Sequence, residues 1–190
     1  MPHADSSLVP EDIKTKPEFY AHIHEQLEAL LDGHRWWVSN LAQVSSLLYH
    51  SYAGSALYGL LSEETTTPVV NWCGFYLRPD GAGPLVLGPY HGRPACVTIQ
   101  AVKGKGVCAD AFVTDTGVVV TDVDAYPGHI ACDGDTKSEI VLPLRLNTPE
   151  GPKTVGVLDL DSTKFSSFDE HDLAGLERVV EILAAASDYP

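Results

Sequence analysis

Between Lys16 and Asp32 the apolar residues Phe19, Ile23, Leu27 and Leu30 recur every three or four positions, the period of one helical face. The spacing predicts a helix over 16–32. "DGH" at 32–34 interrupts it, and a second stripe through Trp37, Leu41, Val44, Leu48 and Tyr52 predicts a helix over 35–61. From residue 70 the pattern changes to short β-rich runs closed by turn residues: "VNWCGFYLR", "LVLGPYHG", "ACVTIQAV", "VVVTDV", "EIVLPLRL" and "TVGVLDLDS". A short helix is expected at 109–115, within this sheet region of 70–162. A last helix is expected at 168–186, with Ser167 and Glu170 at capping-box spacing and Leu173, Leu176, Val180 and Leu183 as its buried stripe. Residues 1–14 read as a mobile N-terminal segment. The rest, 15–190, reads as one α+β domain, a six-stranded sheet sandwiched by helices.

Side chains alternate along a strand, so parity sorts them onto faces. Trp72, Gly74 and Tyr76 share one face of their strand, and Cys73, Phe75 and Leu77 the other. In the last strand Val155, Val157, Asp159 and Asp161 share a face, opposite Leu158 and Leu160. Glu139 aligns with Val141, opposite Ile140, Leu142 and Leu144. Taken alone, Asp159 and Asp161 read as a solvated strand end and the two aromatics as packing residues. A sharper reading has them converge with Glu139 on one pocket.

Charge narrows the partners. The chain of 190 residues carries a formal net charge of −14, which disfavours nucleic acid and anionic membranes. It has no apolar run of about 18 residues to span a bilayer and no secretory pattern at its start. A cytoplasmic protein is the expectation.

The four cysteines, Cys73, Cys96, Cys108 and Cys132, form no Cys-x-x-Cys and no zinc pattern. In a reducing compartment such cysteines are buried and inert, or they react. Cys73 faces the core by parity. Cys96 shares a face with Thr98 and Gln100. Cys108 lies at the start of the short helix near Lys103 and Lys105, where helix terminus and cations are expected to lower a thiol pKa. Cys132 sits in a polar loop three positions after His129, which could favour its thiolate. Three such cysteines suit redox chemistry better than packing.

The pieces "NWCGFYL", "GPYHGRPACVTI", "GKGVCADAF", "GHIACDGDTKSEIVLPL" and "GVLDLDS", spanning 71–162, resemble the free methionine-(R)-sulfoxide reductases, enzymes built on a GAF domain. The resemblance implies an antiparallel sheet with helices on both faces, usually in a homodimer. It also implies reduction of free L-methionine-(R)-sulfoxide, with no bound cofactor or metal and with thioredoxin as reductant. By the same resemblance Cys132 attacks the sulfoxide, Cys96 closes a disulfide with it, and Cys108 matches the third family cysteine, to which some members assign the attack. Glu139, Asp159 and Asp161 match the pocket carboxylates, and Trp72 and Tyr76 its aromatic walls. Glu139 and Asp161 are candidate proton donors, and Asp159 a partner for the substrate's ammonium. The competing readings are a non-catalytic GAF sensor of small molecules and a redox-switched interaction module.

Overall fold

A computed structural model of the chain describes residues 9–59, 67–78, 81–129 and 133–189, with the side chain of Asn147 left aside. The expected mobile segment 1–14 therefore falls mostly outside the described residues, as does Cys132. Among the described residues, no helix is long and apolar enough to cross a membrane.

The chain opens with two helices, α1 (Lys16–Leu31) and α2 (Trp37–Ala53). The first starts where Thr15 caps it: the Thr15 side chain accepts from the Glu18 N–H while the Glu18 carboxylate reaches back, and Pro17 supplies a preset φ. Strands β1 (Val70–Leu77), β2 (Leu85–Gly92) and β3 (Thr98–Ile99) follow, then helix α3 (Val107–Thr114) and strand β4 (Val118–Val120). A single 3-10 turn at Val123–Ala125 leads to the long hairpin of β5 (Ser138–Thr148) and β6 (Gly151–Ser162). Helix α4 (Glu170–Ala186) closes the fold. All six strands pair antiparallel in the order β3-β2-β1-β6-β5-β4.

The sheet separates two cores. Cys73, Phe75 and Leu77 of β1 and Ile140, Leu142 and Leu144 of β5 face the layer of α1, α2 and α4, where Phe19, Leu48 and Leu176 are fully buried. Trp72, Tyr76, Val141 and Val157 face the other way, towards α3. Parity therefore holds in β1 and β5. It fails at Val155, which joins the core on the helical-layer side with Leu158. Gly156 pairs with Leu144 and Thr154 with Arg145, so Val155 is an inserted residue, and such a bulge flips every side chain before it.

Several element boundaries differ from expectation, among them α3, which starts two residues earlier than expected, at Val107. Helix α2 stops at Ala53, with Gly54 as its C-cap, instead of running to 61. The run "ACVTIQAV" pairs only through Thr98 and Ile99, because this edge strand meets just Leu85 and Val86. Helix α4 is capped by Asp169, not Ser167. The Asp169 carboxylate accepts from the His171 and Asp172 N–H groups and Asp172 completes the box. The Ser167 hydroxyl instead pairs with that of Ser162 at 2.6 Å.

Candidate active site

Strand register builds the site. Trp72 of β1 pairs with Asp161 of β6, which pairs on its other side with Glu139 of β5. One step along, Gly74 pairs with Asp159, and Asp159 with Val141. Because these five side-chain positions lie on the face towards α3, three carboxyls from two neighbouring strands are brought beside Trp72 and Tyr76. Gly74 leaves room for aromatic stacking. A Cβ there would lie 2.2 Å from that of Tyr90. In that space Tyr90 stacks on Trp72 at 5.3 Å and Trp72 on Tyr76 at 5.8 Å between ring centroids.

The first turn of α3 covers this face. Gly106, Val107 and Cys108 close a cavity of about 40 Å³ over Trp72, Tyr76, Ile99, Glu139, Asp159 and Asp161. At roughly 10–15 Å³ per water, that is room for about three waters. Lys105, Arg93, Asp133, Thr136 and His129 contribute to its wall from the loops. The arrangement is poor in hydrogen bonds. Asp159 Oδ1, Trp72 Nε1 and Thr136 Oγ1 are all buried and meet no partner among the described residues. Each such atom costs on the order of 1–3 kcal/mol, so these groups favour a polar occupant, water or ligand, beside them.

Burial sets the charges. It pushes the Asp159 carboxyl well above the usual carboxylate range, with neighbouring Glu139 adding to the effect. Asp161, nearer the mouth, moves the same way through burial, Asp159 and Asp133. Burial also lifts Glu139 to about 7, while its contact with His129 pulls in the opposite direction. His129 Nε2 faces Glu139 Oε2 at 3.4 Å, and Cys108 Sγ approaches Oε1 at 4.0 Å. The Cys108 thiol is pushed up by burial and by Asp159 and Glu139. This reverses the expectation of a lowered thiol pKa, because carboxyls brought in by β5 and β6 outweigh the local helix start and lysines. One donor atom each from Cys108, Glu139 and Asp159 lies within 4.8 Å of the others. Three such donors could hold a metal ion, and without one they form a set that can pass protons among themselves.

The structure thus brings together Trp72, Tyr76, Cys108, Glu139, Asp159 and Asp161 of the residues singled out from sequence. Cys96 is half-buried just behind Ala95, which lines the cavity, and its carbonyl accepts from the Tyr76 hydroxyl at 3.0 Å. Cys73 is buried on the opposite side, where burial pushes its thiol well up. His129 faces Glu139, a contact that the sequence reading did not anticipate. Arg93 and Tyr90 were missed, and Lys105, noted only as a neighbour of Cys108, also lines the cavity. Tyr90 alone had a visible signal, since a glycine within an apolar strand marks close approach of a neighbour.

A six-stranded antiparallel sheet with helices on both faces and a small polar cavity under a short helix describes a GAF domain, and the GAF domain family model matches residues 60–188. The free methionine-R-sulfoxide reductase of Saccharomyces cerevisiae is 40% identical over 182 residues, 95% of this chain and 92% of that protein. The enzyme of the same name from Escherichia coli is 40% identical over 177 residues, covering 92% and 93%. The X-ray structure of free methionine-R-sulfoxide reductase from Neisseria meningitidis in complex with its substrate superimposes with a TM-score of 0.76 at 33% identity, covering 95% of each chain. The chain belongs to the free methionine-R-sulfoxide reductase family of GAF domains.

Proposed function

We propose that this protein reduces free L-methionine-(R)-sulfoxide to methionine in the cytoplasm, acting as a homodimer that thioredoxin returns to the thiol state. The observation that carries the reading is the buried, unpaired Asp159 Oδ1 in a cavity walled by stacked aromatics and two further carboxyls. The names of relatives at 40% identity support the same substrate.

In this reading Asp159 gives its proton to bulk water as the substrate's ammonium arrives, and the resulting ion pair replaces the orphaned contact. Lys105 and the N–H groups opening α3 receive the substrate carboxylate. Trp72 and Tyr76 hold the methylsulfinyl end. A pocket that requires both charged ends excludes a residue inside a peptide, which has neither.

The Cys132 thiol gives up its proton to solvent, and the thiolate attacks the sulfoxide while a proton moves to its oxygen and the oxygen passes to the cysteine sulfur. The S–O bond breaks, methionine leaves, and Cys132 carries the oxygen as a sulfenic acid. Glu139 supplies the proton, with Asp161, its partner across β5 and β6, replenishing it. A carboxyl near 7 suits a donor at neutral pH. The Cys96 thiol then condenses with the sulfenic acid, releasing water and leaving a disulfide. Dithiol thioredoxin reduces that disulfide and is itself oxidised. Cys108 is a poor candidate for first attack, because its buried thiol is held protonated beside two carboxyls.

The test is turnover with thioredoxin, its reductase and NADPH. Free L-methionine-(R)-sulfoxide should be reduced, and the (S) epimer and a blocked sulfoxide peptide should react poorly. Binding of free sulfoxide without methionine release would instead support a sensor. Mapping after one equivalent of substrate should find Cys132 joined to Cys96. A sulfenic acid trapped on Cys108 would reassign the attack.

A further inference from the structure

Glu139 has each carboxyl oxygen placed against a different element. Oε1 faces Cys108 on α3, and Oε2 faces His129 in the turn that follows β4. We propose that His129 is a positioning residue: it holds and tunes Glu139, and is itself aimed by a brace running from α3 through Asp110 and Tyr126. The proposal deepens the reductase reading and rests on it for its kinetic arm only.

The brace is assembled from contacts that have no other evident use. Asp110, in the first turn of α3, accepts from the Gly104 N–H at 2.5 Å through Oδ1 and from the Tyr126 hydroxyl at 2.8 Å through Oδ2. Its two oxygens thereby tie the loop before the helix to the turn after β4. The His129 N–H donates to the Tyr126 carbonyl at 3.2 Å, which closes the turn. Gly128 makes that closure possible twice over. Its φ is +76°, and a Cβ there would lie 2.4 Å from the Gly104 carbonyl oxygen. Gly104, Asp110, Tyr126 and Gly128 thus lock the turn against the same helix that carries Cys108. The imidazole and the thiol consequently approach Glu139 from one rigid unit.

The groups facing Glu139 explain why it needs such a partner. Cys108 comes from α3 and Asp159 and Asp161 from β6, all acidic. Tyr126, in the turn, also feels the Glu139 charge. Lys105, Arg93 and Asp133 line the same cavity. Of the residues in contact with the carboxyl, His129 pulls hardest towards its ionised form, with a smaller pull from the Asp159 hydrogen bond. A carboxyl surrounded only by acids would keep its proton too firmly to donate it and would rotate away from its like-charged neighbours.

The test compares wild type with His129→Ala, His129→Gln, Tyr126→Phe and the double variant His129→Ala/Glu139→Gln. Single-turnover methionine release is measured from the reduced protein, without thioredoxin. His129→Ala should slow the step by about 10- to 100-fold, the usual loss when a supporting partner is removed, with half-saturation nearly unchanged. Gln places an N–H at similar reach and should recover most of the rate. Tyr126→Phe, outside the cavity, should give a smaller loss of the same kind. The double variant should be no slower than Glu139→Gln alone, because His129 acts through that carboxyl. A wild-type rate in His129→Ala would overturn the proposal. So would a raised half-saturation at unchanged rate, a Gln variant as slow as Ala, or additive losses in the double variant.

A second readout needs no turnover. Titration of 13C-labelled glutamate carboxyls by NMR should move the Glu139 midpoint upwards in His129→Ala, since the contact that favours ionisation is gone. An unmoved midpoint overturns the proposal even if methionine release is slowed. A moved midpoint in a protein that releases no methionine would sink the reductase reading and leave the positioning role standing.

Discussion

Asp172 and Asp159 are both withdrawn from water, with 0% and 5% exposure, and they are treated in opposite ways. Asp172 lies among the helices. Its Oδ1 accepts from the Tyr20 and Tyr58 hydroxyls, at 2.9 and 2.5 Å, and its Oδ2 from the Asp169 N–H at 2.8 Å and the Lys16 ammonium at 2.5 Å. One charge is thereby neutralised and every lone pair is used, joining α1, the loop after α2 and the start of α4. Asp159, on the far side of the sheet, has an empty Oδ1, acidic neighbours and no ion pair among the described residues. The difference separates a buried carboxylate paired within the fold from a buried carboxyl that burial holds towards its protonated form. The first has its desolvation offset within the fold. The second avoids that cost by keeping its proton until, in the proposed reading, the substrate's ammonium arrives.

The largest effect expected from this contrast is on rate. Glu139→Gln keeps the shape of the cavity and removes the proposed proton donor. Methionine release should slow by about 10²–10⁴-fold, while the melting temperature holds or rises because a strained buried acid has gone. A clear fall in melting temperature would show that the α3 side is as structural as the helical side, and the contrast would break.

Asp172→Ala is the converse. Removing one member of a buried, paired set costs about 3–5 kcal/mol, and Tyr20, Tyr58 and Lys16 would be left without their acceptor. Chemical denaturation should show that loss, with turnover per folded molecule unchanged. A slowed chemical step in the folded fraction would mean that the helical layer reaches the site through the sheet.

The third effect is a pH dependence of stability with a definite sign. Glu139 titrates near 4.5 when unfolded and near 7 when folded. Between those values the unfolded chain has released the proton and the folded chain still holds it. The group's contribution is therefore favourable below about 4.5 and is lost as pH rises through about 7. Asp159 and Asp161 act in the same direction. Glu139→Gln should gain stability over wild type at pH 8 and much less at pH 4. An equal difference at both values would show that Glu139 is not perturbed by folding.

Much of this contrast was legible in the sequence, for a physical reason. Alternation in β1 and β5 is a backbone property, so Trp72 and Tyr76 separate from Cys73 and Phe75, and Glu139 from Ile140, without knowledge of the partners. The acidic face of β6 followed from the same rule only as far as Val157. Beyond it the bulge at Val155 depends on how β5 pairs, which no local pattern encodes. The helical stripes gave the dry core, yet Asp172 was hidden among surface-like acids at the start of α4, because Lys16 and Tyr20 reach it from more than 150 positions away. Cys108 misled for the same reason: its chain neighbours are lysines, and its spatial neighbours are carboxyls. Arg93, Lys105 and His129 lie in loops, whose paths follow from the packed elements and not from a period.

The smallest effect concerns a boundary that sequence placed wrongly. Ser167 and Glu170 have capping-box spacing, but Asp169 and Asp172 make the box. Asp169 also meets the Lys16 ammonium at 2.7 Å on a partly exposed surface, where an ion pair adds little. Asp169→Ala should therefore cost about 1 kcal/mol, the usual loss of a side-chain cap. The loss should appear in denaturation and leave methionine release untouched, because α4 packs on the face opposite the cavity. Ser167→Ala should cost less, since no α4 N–H depends on that hydroxyl. If Ser167→Ala proves the more damaging, the cap lies where the sequence spacing put it. If Asp169→Ala slows the chemistry, the paired helical side and the unpaired α3 side are not independent.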